Sequence, residues 1–286
     1  MERRLDLNLI KLRLLRFHLL NRGKHTMSEG TMLDYETHIR PGCKLLNPNT
    51  LCDINKEVLP YGKVIFSQLP ISHWQNESAP QENFIRLVVE LYAVLCDYGK
   101  EMAFALVKDR TFAKKTYQNI NALRHYFCHG LPPVSSSNHA VNTARRALVS
   151  YTGAVPREGV ISPTPEEWAN GVEELRTESN KLADALLQSA ERVKNYPNLL
   201  SVPWEKRWSS HAVAEMLRDG GCDECFMDIC RNLEQSSIPL CEAVSWVLVR
   251  TWQDDKDALL SEMLWKAETE GLQYWYENVL NATENV

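Results

Sequence analysis

Residues 82–107, ENFIRLVVELYAVLCDYGKEMAFALV, decide how the chain reads. Phe84, Leu87, Val88, Leu91, Leu95, Tyr98, Met102 and Leu106 recur at three- and four-residue steps, which lines one side of an α-helix rather than one face of a strand. The spacing predicts a core-facing helix of about seven turns, and so long an apolar stripe needs other helices to cover it. A second helix is expected from about Phe112 to His129, where Gly130, Pro132 and Pro133 stop it, since glycine accepts a left-handed cap and proline cannot continue a helix. Residues 138–151 read as a third. A fourth starts at Thr164-Pro165-Glu166-Glu167, with Thr164 as cap and Pro165 in the first helical position. It runs through Trp168, Val172, Leu175, Leu182, Leu186 and Val193 to Tyr196, and Pro197 ends it.

Outward from these four helices, residues 198–286 read as a second helical unit, with helices at 209–219, 222–234, 239–253, 255–270 and 272–281. Residues 40–80, interrupted by Pro41, Pro48, Pro60, Pro70 and Pro80, read as irregular packing or an arm, with Lys63 to Leu69 as the one plausible strand. Residues 5–20, LDLNLIKLRLLRFHLL, read as a short basic amphipathic helix. It would be a packing or membrane-surface helix, a leader ahead of a start at Met27 or Met32, or part of a targeting peptide; Glu2 and Asp6 count against a transit peptide. The expected fold is therefore all-α: an amino-terminal arm at 1–79, a central helical domain at 80–197 and a carboxy-terminal helical domain at 198–286.

Composition excludes whole classes. Of the 286 residues 44% are hydrophobic and 24% charged, with a net charge of −5, which excludes disordered and fibrous chains. No uninterrupted apolar run approaches the roughly 20 residues of a membrane-spanning helix. The eight Cys are scattered and no signal-peptidase site is evident, so reduced thiols and a cytoplasmic location are expected. The charge is unevenly divided. Residues 1–24 carry seven Lys/Arg against two Asp/Glu, and residues 100–146 carry eight against two, while residues 197–286 are rich in acid. Attraction to phosphate follows the local field, so the basic middle is suited to a polyanion despite the negative total.

The chemistry concentrates in Asn121-Ala122-Leu123-Arg124-His125-Tyr126-Phe127-Cys128-His129. With Arg124 set at 0° and about 100° per residue, Cys128, Asn121, His125 and His129 fall between about 40° and 140°, opposite Ile120, Leu123, Tyr126 and Phe127. One side of the helix is thus apolar, and the other gathers two imidazoles and a guanidinium. These are the groups that cleave a phosphodiester without metal: imidazole exchanges protons and guanidinium holds the phosphoryl oxygens.

An arginine followed by a polar residue, three further residues and a histidine, near the end of the second long helix of a four-helix unit, resembles the HEPN superfamily of all-α ribonucleases and nucleotide-binding domains. The resemblance covers residues 80–196 and rests on Arg124, His125 and His129. It implies a four-helix up-and-down bundle and a homodimer, or two such units, whose motifs meet in a composite site. Arg124 would hold the scissile phosphate of RNA, His129 would move a proton as the 2′-hydroxyl attacks, and His125 would be the orienting polar residue. The products would be a 2′,3′-cyclic phosphate and a 5′-hydroxyl, with no cofactor or metal. Asn121, Lys114, Lys115, Arg145 and Arg146 become candidate RNA contacts, and Glu90 a group that could position a base. Free-standing members imply a bacterial antiphage-defence or toxin setting, with the acidic carboxy-terminal domain as a regulatory or protein-partner surface. Members that are neutralised by nucleotide attachment carry a Tyr two residues after the histidine; here that position is Leu131. The alternative is a catalytically silent module of the same type that binds a nucleotide or a protein.

Rival signals are weaker. Cys222, Cys225, Cys230 and Cys241 would make a four-thiolate zinc site, but the last two are widely spaced on expected helices, which favours buried thiols. Cys128 has two histidines beside it but no visible third group or oxyanion donor to make it a nucleophile. Most of the eight Trp are expected in the core.

Overall fold

The computed structural model describes residues 48–66, 79–97, 99–128, 139–209, 239–258 and 260–283. The described part is all-α, with one isolated bridge, Arg157 to Val160, and no strand. It divides into two compact units, one of residues 48–58 and 64–200 and the other of 59–63 and 201–283.

In the central unit the helices are α1 (Pro48–Val58), α2 (Pro80–Leu91), α3 (Lys100–Leu106), α4 (Arg110–Cys128), α5 (His139–Thr152), α6 (Pro165–Ala190) and α7 (Arg192–Asn195). Helix α2 packs on α4, α4 on α5, α5 on α6, and α6 back on α2, so four helices close around one core. Helix α6 also carries α1 on its surface. Its start follows the sequence signal: the Thr164 hydroxyl accepts from the Glu167 amide at 3.3 Å, and the Glu167 carboxylate accepts from the Thr164 amide at 2.7 Å. This reciprocal box satisfies two amides that a helix start leaves open.

Three expectations for residues 48–107 are corrected. The long helix over 82–107 is broken into α2, a π-helical turn at Tyr92–Asp97, and α3. The break adjoins Gly99, which the chain at 65–66 approaches so closely that an added Cβ would lie 2.9 Å from the Phe66 ring and 3.2 Å from the Ile65 carbonyl. The apolar pattern survives, with Phe84, Leu87, Leu91, Leu95, Met102 and Leu106 all buried. The described part of the expected strand, residues 63–66, is not a strand. Buried Asn55 replaces a pairing partner, its amide donating to the Phe66 carbonyl at 2.8 Å and its oxygen accepting from the Ile65 and Phe66 amides at 2.9 and 3.0 Å. Inside the stretch read as irregular, α1 is a helix with Pro48 in its first position and Leu51, Ile54 and Val58 buried.

The second unit contains a 3₁₀ turn at Leu59–Tyr61, α8 (Ser201–Arg207), α9 (Leu240–Asp254) and α10 (Leu260–Thr283). Helix α10 corrects the expected pair at 255–270 and 272–281. Gly271 does not end a helix; it lies inside one, where an added Cβ would be 3.0 Å from the Val244 backbone, so the missing side chain lets α9 and α10 approach closely. The expected helices at 209–219 and 222–234 lie outside the described residues, as does the amphipathic segment at 5–20. Among the described residues no helix is long and apolar enough to cross a membrane.

Candidate functional site

Helix α4 supplies the site, and both of its ends are fixed. At the start, the Asp109 carboxylate accepts from the Thr111 and Phe112 amides at 3.1 and 3.0 Å, capping two open donors. At the far end, Phe127 packs against Phe84 and Trp168 with ring centroids 6.1 and 6.3 Å away, and Phe84 meets Trp168 at 5.3 Å. Midway, buried Asn119 donates to the Tyr151 hydroxyl at 3.2 Å, and that hydroxyl donates to Glu178 at 2.8 Å. Burial, with the Glu178 charge beside it, pushes the Tyr151 phenol well up, so it stays a neutral donor. A buried polar chain through three helices fixes how far α4 can turn about its axis. The face with Asn121, Arg124 and His125 is thereby held outward.

These three side chains are half-exposed, and Cys128 is exposed. The Arg124 guanidinium lies over the Tyr92 ring, 4.8 Å from its centroid, a cation–π contact worth about 0.5–2 kcal/mol. Tyr92 opens the π-helical turn, and π turns recur at functional sites. No sequence signal identified Tyr92, because the pattern continued smoothly across it. His129, the second half of the motif, lies outside the described residues. Glu90 is half-buried; burial raises its carboxyl pKa, with Arg86 opposing.

The candidate RNA contacts separate into two groups. Lys114 and Lys115 are exposed on α4, where Lys114 lines a cleft of about 550 Å³ with Lys100 and Arg110. Arg145 and Arg146 lie on α5 beside a different groove of about 720 Å³. Arg145 donates to the Gly159 carbonyl, while Arg146 donates to the Asn142 carbonyl at 3.3 Å and reaches the Thr143 hydroxyl at 3.5 Å. No residue lines both grooves.

Lys100, Arg110 and Phe104, which the sequence reading did not single out for the site, share the α4 cleft. Their signal was the four-residue spacing of Lys100 with Phe104 and of Arg110 with Lys114 and Gln118.

No group of three or more side chains suited to a metal occurs among the described residues. Of the zinc candidates only Cys241 is described; it is buried, and burial raises its thiol pKa. Cys222, Cys225 and Cys230 lie outside the described residues. No family model, curated protein or solved structure matches the chain.

Proposed function

We propose that the central unit is a metal-independent endoribonuclease of HEPN type that works as a dimer with a composite site. The observation that supports this reading is the adjacent, half-exposed Arg124 and His125 on a helix face that buried contacts hold outward, with unshielded cations further along the same helix. In the proposed reaction the RNA 2′-oxygen attacks phosphorus as a base removes its proton. The P–O5′ bond breaks and the departing 5′-oxygen takes a proton, leaving a 2′,3′-cyclic phosphate and a 5′-hydroxyl. Arg124 stabilises the charge that builds on the phosphoryl oxygens, and His129 carries the proton. DNA lacks the attacking hydroxyl and is not a substrate. The same reading gives residues 198–286 a regulatory or partner-binding role and sets the protein in the bacterial cytoplasm, in defence or toxin action.

Purified protein should cleave RNA in EDTA, and Arg124→Ala or His129→Ala should lower the rate at least about 100-fold with helical circular dichroism retained. Intact RNA across varied substrates overturns the reading. Expression of the wild type, but not of His129→Ala, should arrest growth. The stacking of Arg124 on Tyr92 favours a second reading, a catalytically silent module in which the arginine packs rather than reacts. That reading predicts RNA bound but never cut, and a lower melting temperature for Arg124→Ala.

A further inference from the structure

Helices α3 and α4 border a shallow, open cleft of about 550 Å³. Lys100 enters it from α3, and Arg110 and Lys114 enter from successive turns of α4; all three are exposed. Among the described residues no carboxylate lines the cleft. Lys115 and Thr111 extend it into an adjoining groove of about 450 Å³. None of Lys100, Arg110, Lys114 and Lys115 takes part in an ion pair among the described residues, whereas Lys56, Arg86, Arg176 and Lys194 of the same unit each have a carboxylate partner. Cations held together without counter-charges repel one another, and a bound anion relieves that repulsion. The wall also carries Phe104, half-exposed and set 4.9 Å from the Tyr117 ring at 45°. An aromatic ring among phosphate-binding groups is the recurring arrangement for single-stranded nucleic acid, because a ring can stack only on a base whose face is open.

The cleft is continuous with the site in one further respect. With Arg124 again at 0°, Arg110, Lys114 and Gln118 fall at about 40°, 80° and 120°, the sector that holds Asn121, His125 and Cys128. Arg110 and Arg124 are fourteen residues apart, about 20 Å along the axis. A stacked strand carries a phosphate about every 3.4 Å, so the face spans about six nucleotides.

We infer that the cleft between α3 and α4 receives single-stranded RNA, its phosphates on Lys100, Arg110 and Lys114 and a base against Phe104, and that the strand continues along α4 to Arg124. The inference rests on the proposed RNA substrate but not on cleavage. It is tested by the fluorescence anisotropy of the full chain with a labelled 2′-O-methyl oligonucleotide, which 2′-hydroxyl attack cannot cut. The combined Lys100→Gln, Arg110→Gln and Lys114→Gln variant should bind more weakly and lower the slope of log affinity against log salt by about 2, at about 0.7 per lost phosphate contact. Phe104→Leu should weaken binding about tenfold with the slope unchanged. Adenosine monophosphate should compete only poorly, since it offers one phosphate. An unchanged slope in the combined variant, equal loss for duplex and single strand, full competition by the mononucleotide, or no binding by the wild type would each overturn the inference. His129-dependent cleavage with an unchanged slope breaks the cleft and leaves the ribonuclease. Slope-dependent binding without cleavage of ordinary RNA does the reverse.

Discussion

The two units use the same residue types in opposite ways. In the central unit Phe84, Phe127 and Trp168 form one cluster under the end of α4, and Lys100, Arg110, Lys114 and Lys115 take part in no ion pair among the described residues. In the second unit large aromatics reach the surface and cations cover them. Trp246 is 54% exposed and stacks on Tyr274 at 5.9 Å, with Arg250 5.4 Å from its ring, and Lys256 is 5.0 Å from half-exposed Trp252; Arg207 lies 5.4 Å from the ring of Trp208, which is buried. A cation over an aromatic ring is engaged in the fold, a use that Arg124 over Tyr92 shares in the central unit, while Lys100, Arg110 and Lys114 at the α3–α4 cleft have neither an ion pair nor a ring contact among the described residues. Net charge divided by sequence segment ranks the two regions by sign but says nothing of this difference in use.

The sharpest way to test the contrast is to remove one tryptophan from each side. Trp168 is 7% exposed within the aromatic cluster, so Trp168→Ala should cost about 3–5 kcal/mol in a urea titration. Trp246→Ala should cost less than about 1 kcal/mol, because most of that side chain stays in water. Equal losses would mean that the surface aromatics of the second unit form a core, and the comparison would fail.

Glu268 gives the next largest effect and belongs to the second unit. It is intermediate in exposure as a residue, but its carboxyl group is buried, and burial raises the pKa to about 7 against the opposing charge of Arg207. The native state therefore holds this proton more tightly than the unfolded chain, whose carboxyl titrates near 4.5. Stability from this group is fully present below pH 4.5 and is lost as pH rises through about 7, a change of about 3 kcal/mol. Glu268→Gln should remove that slope, leaving the variant as stable as wild type at pH 5 and more stable at pH 8. A wild type with a flat profile between those values would show that the carboxyl is solvated.

How much of this was legible in the sequence depended on whether the signal was local. Thr164, Pro165 and Glu167 identify the start of α6 by themselves, because a capping box is made within four residues. The apolar stripe of 82–107 identified the buried side chains among the described residues while missing the break, which adjoins Gly99, where Phe66 and Ile65, more than thirty residues away in sequence, pack closely. Gly271 misled for the same reason: its neighbour is Val244, on another helix, and a glycine that ends a helix looks the same in sequence as one that admits a partner. At the site, the wheel of α4 places Asn121, Arg124 and His125 in one sector, and all three are half-exposed, as are Tyr126 and Phe127 on the opposite side. Tyr92 could not be found that way. Its meeting with Arg124 depends on the π-helical turn and on how α4 packs against it.

The smallest effect tests the comparison most directly. Arg250 lies over Trp246 and 4.0 Å from Asp254, so Arg250→Gln loses a ring contact and a weak surface ion pair. Both are exposed, and the expected cost is about 0.5 kcal/mol. Lys114 stands one turn from Arg110 with no ion pair among the described residues, and like charges four residues apart on a helix destabilise it by about 0.2–0.5 kcal/mol. Lys114→Gln should therefore stabilise the fold slightly while weakening RNA binding. Opposite signs in the two melts, read at low salt where neither effect is screened, distinguish a cation engaged in the fold from one open to a ligand. A loss of stability in Lys114→Gln would mean that the lysine holds the fold together, and the α3–α4 cleft would then lose its claim to be a binding surface.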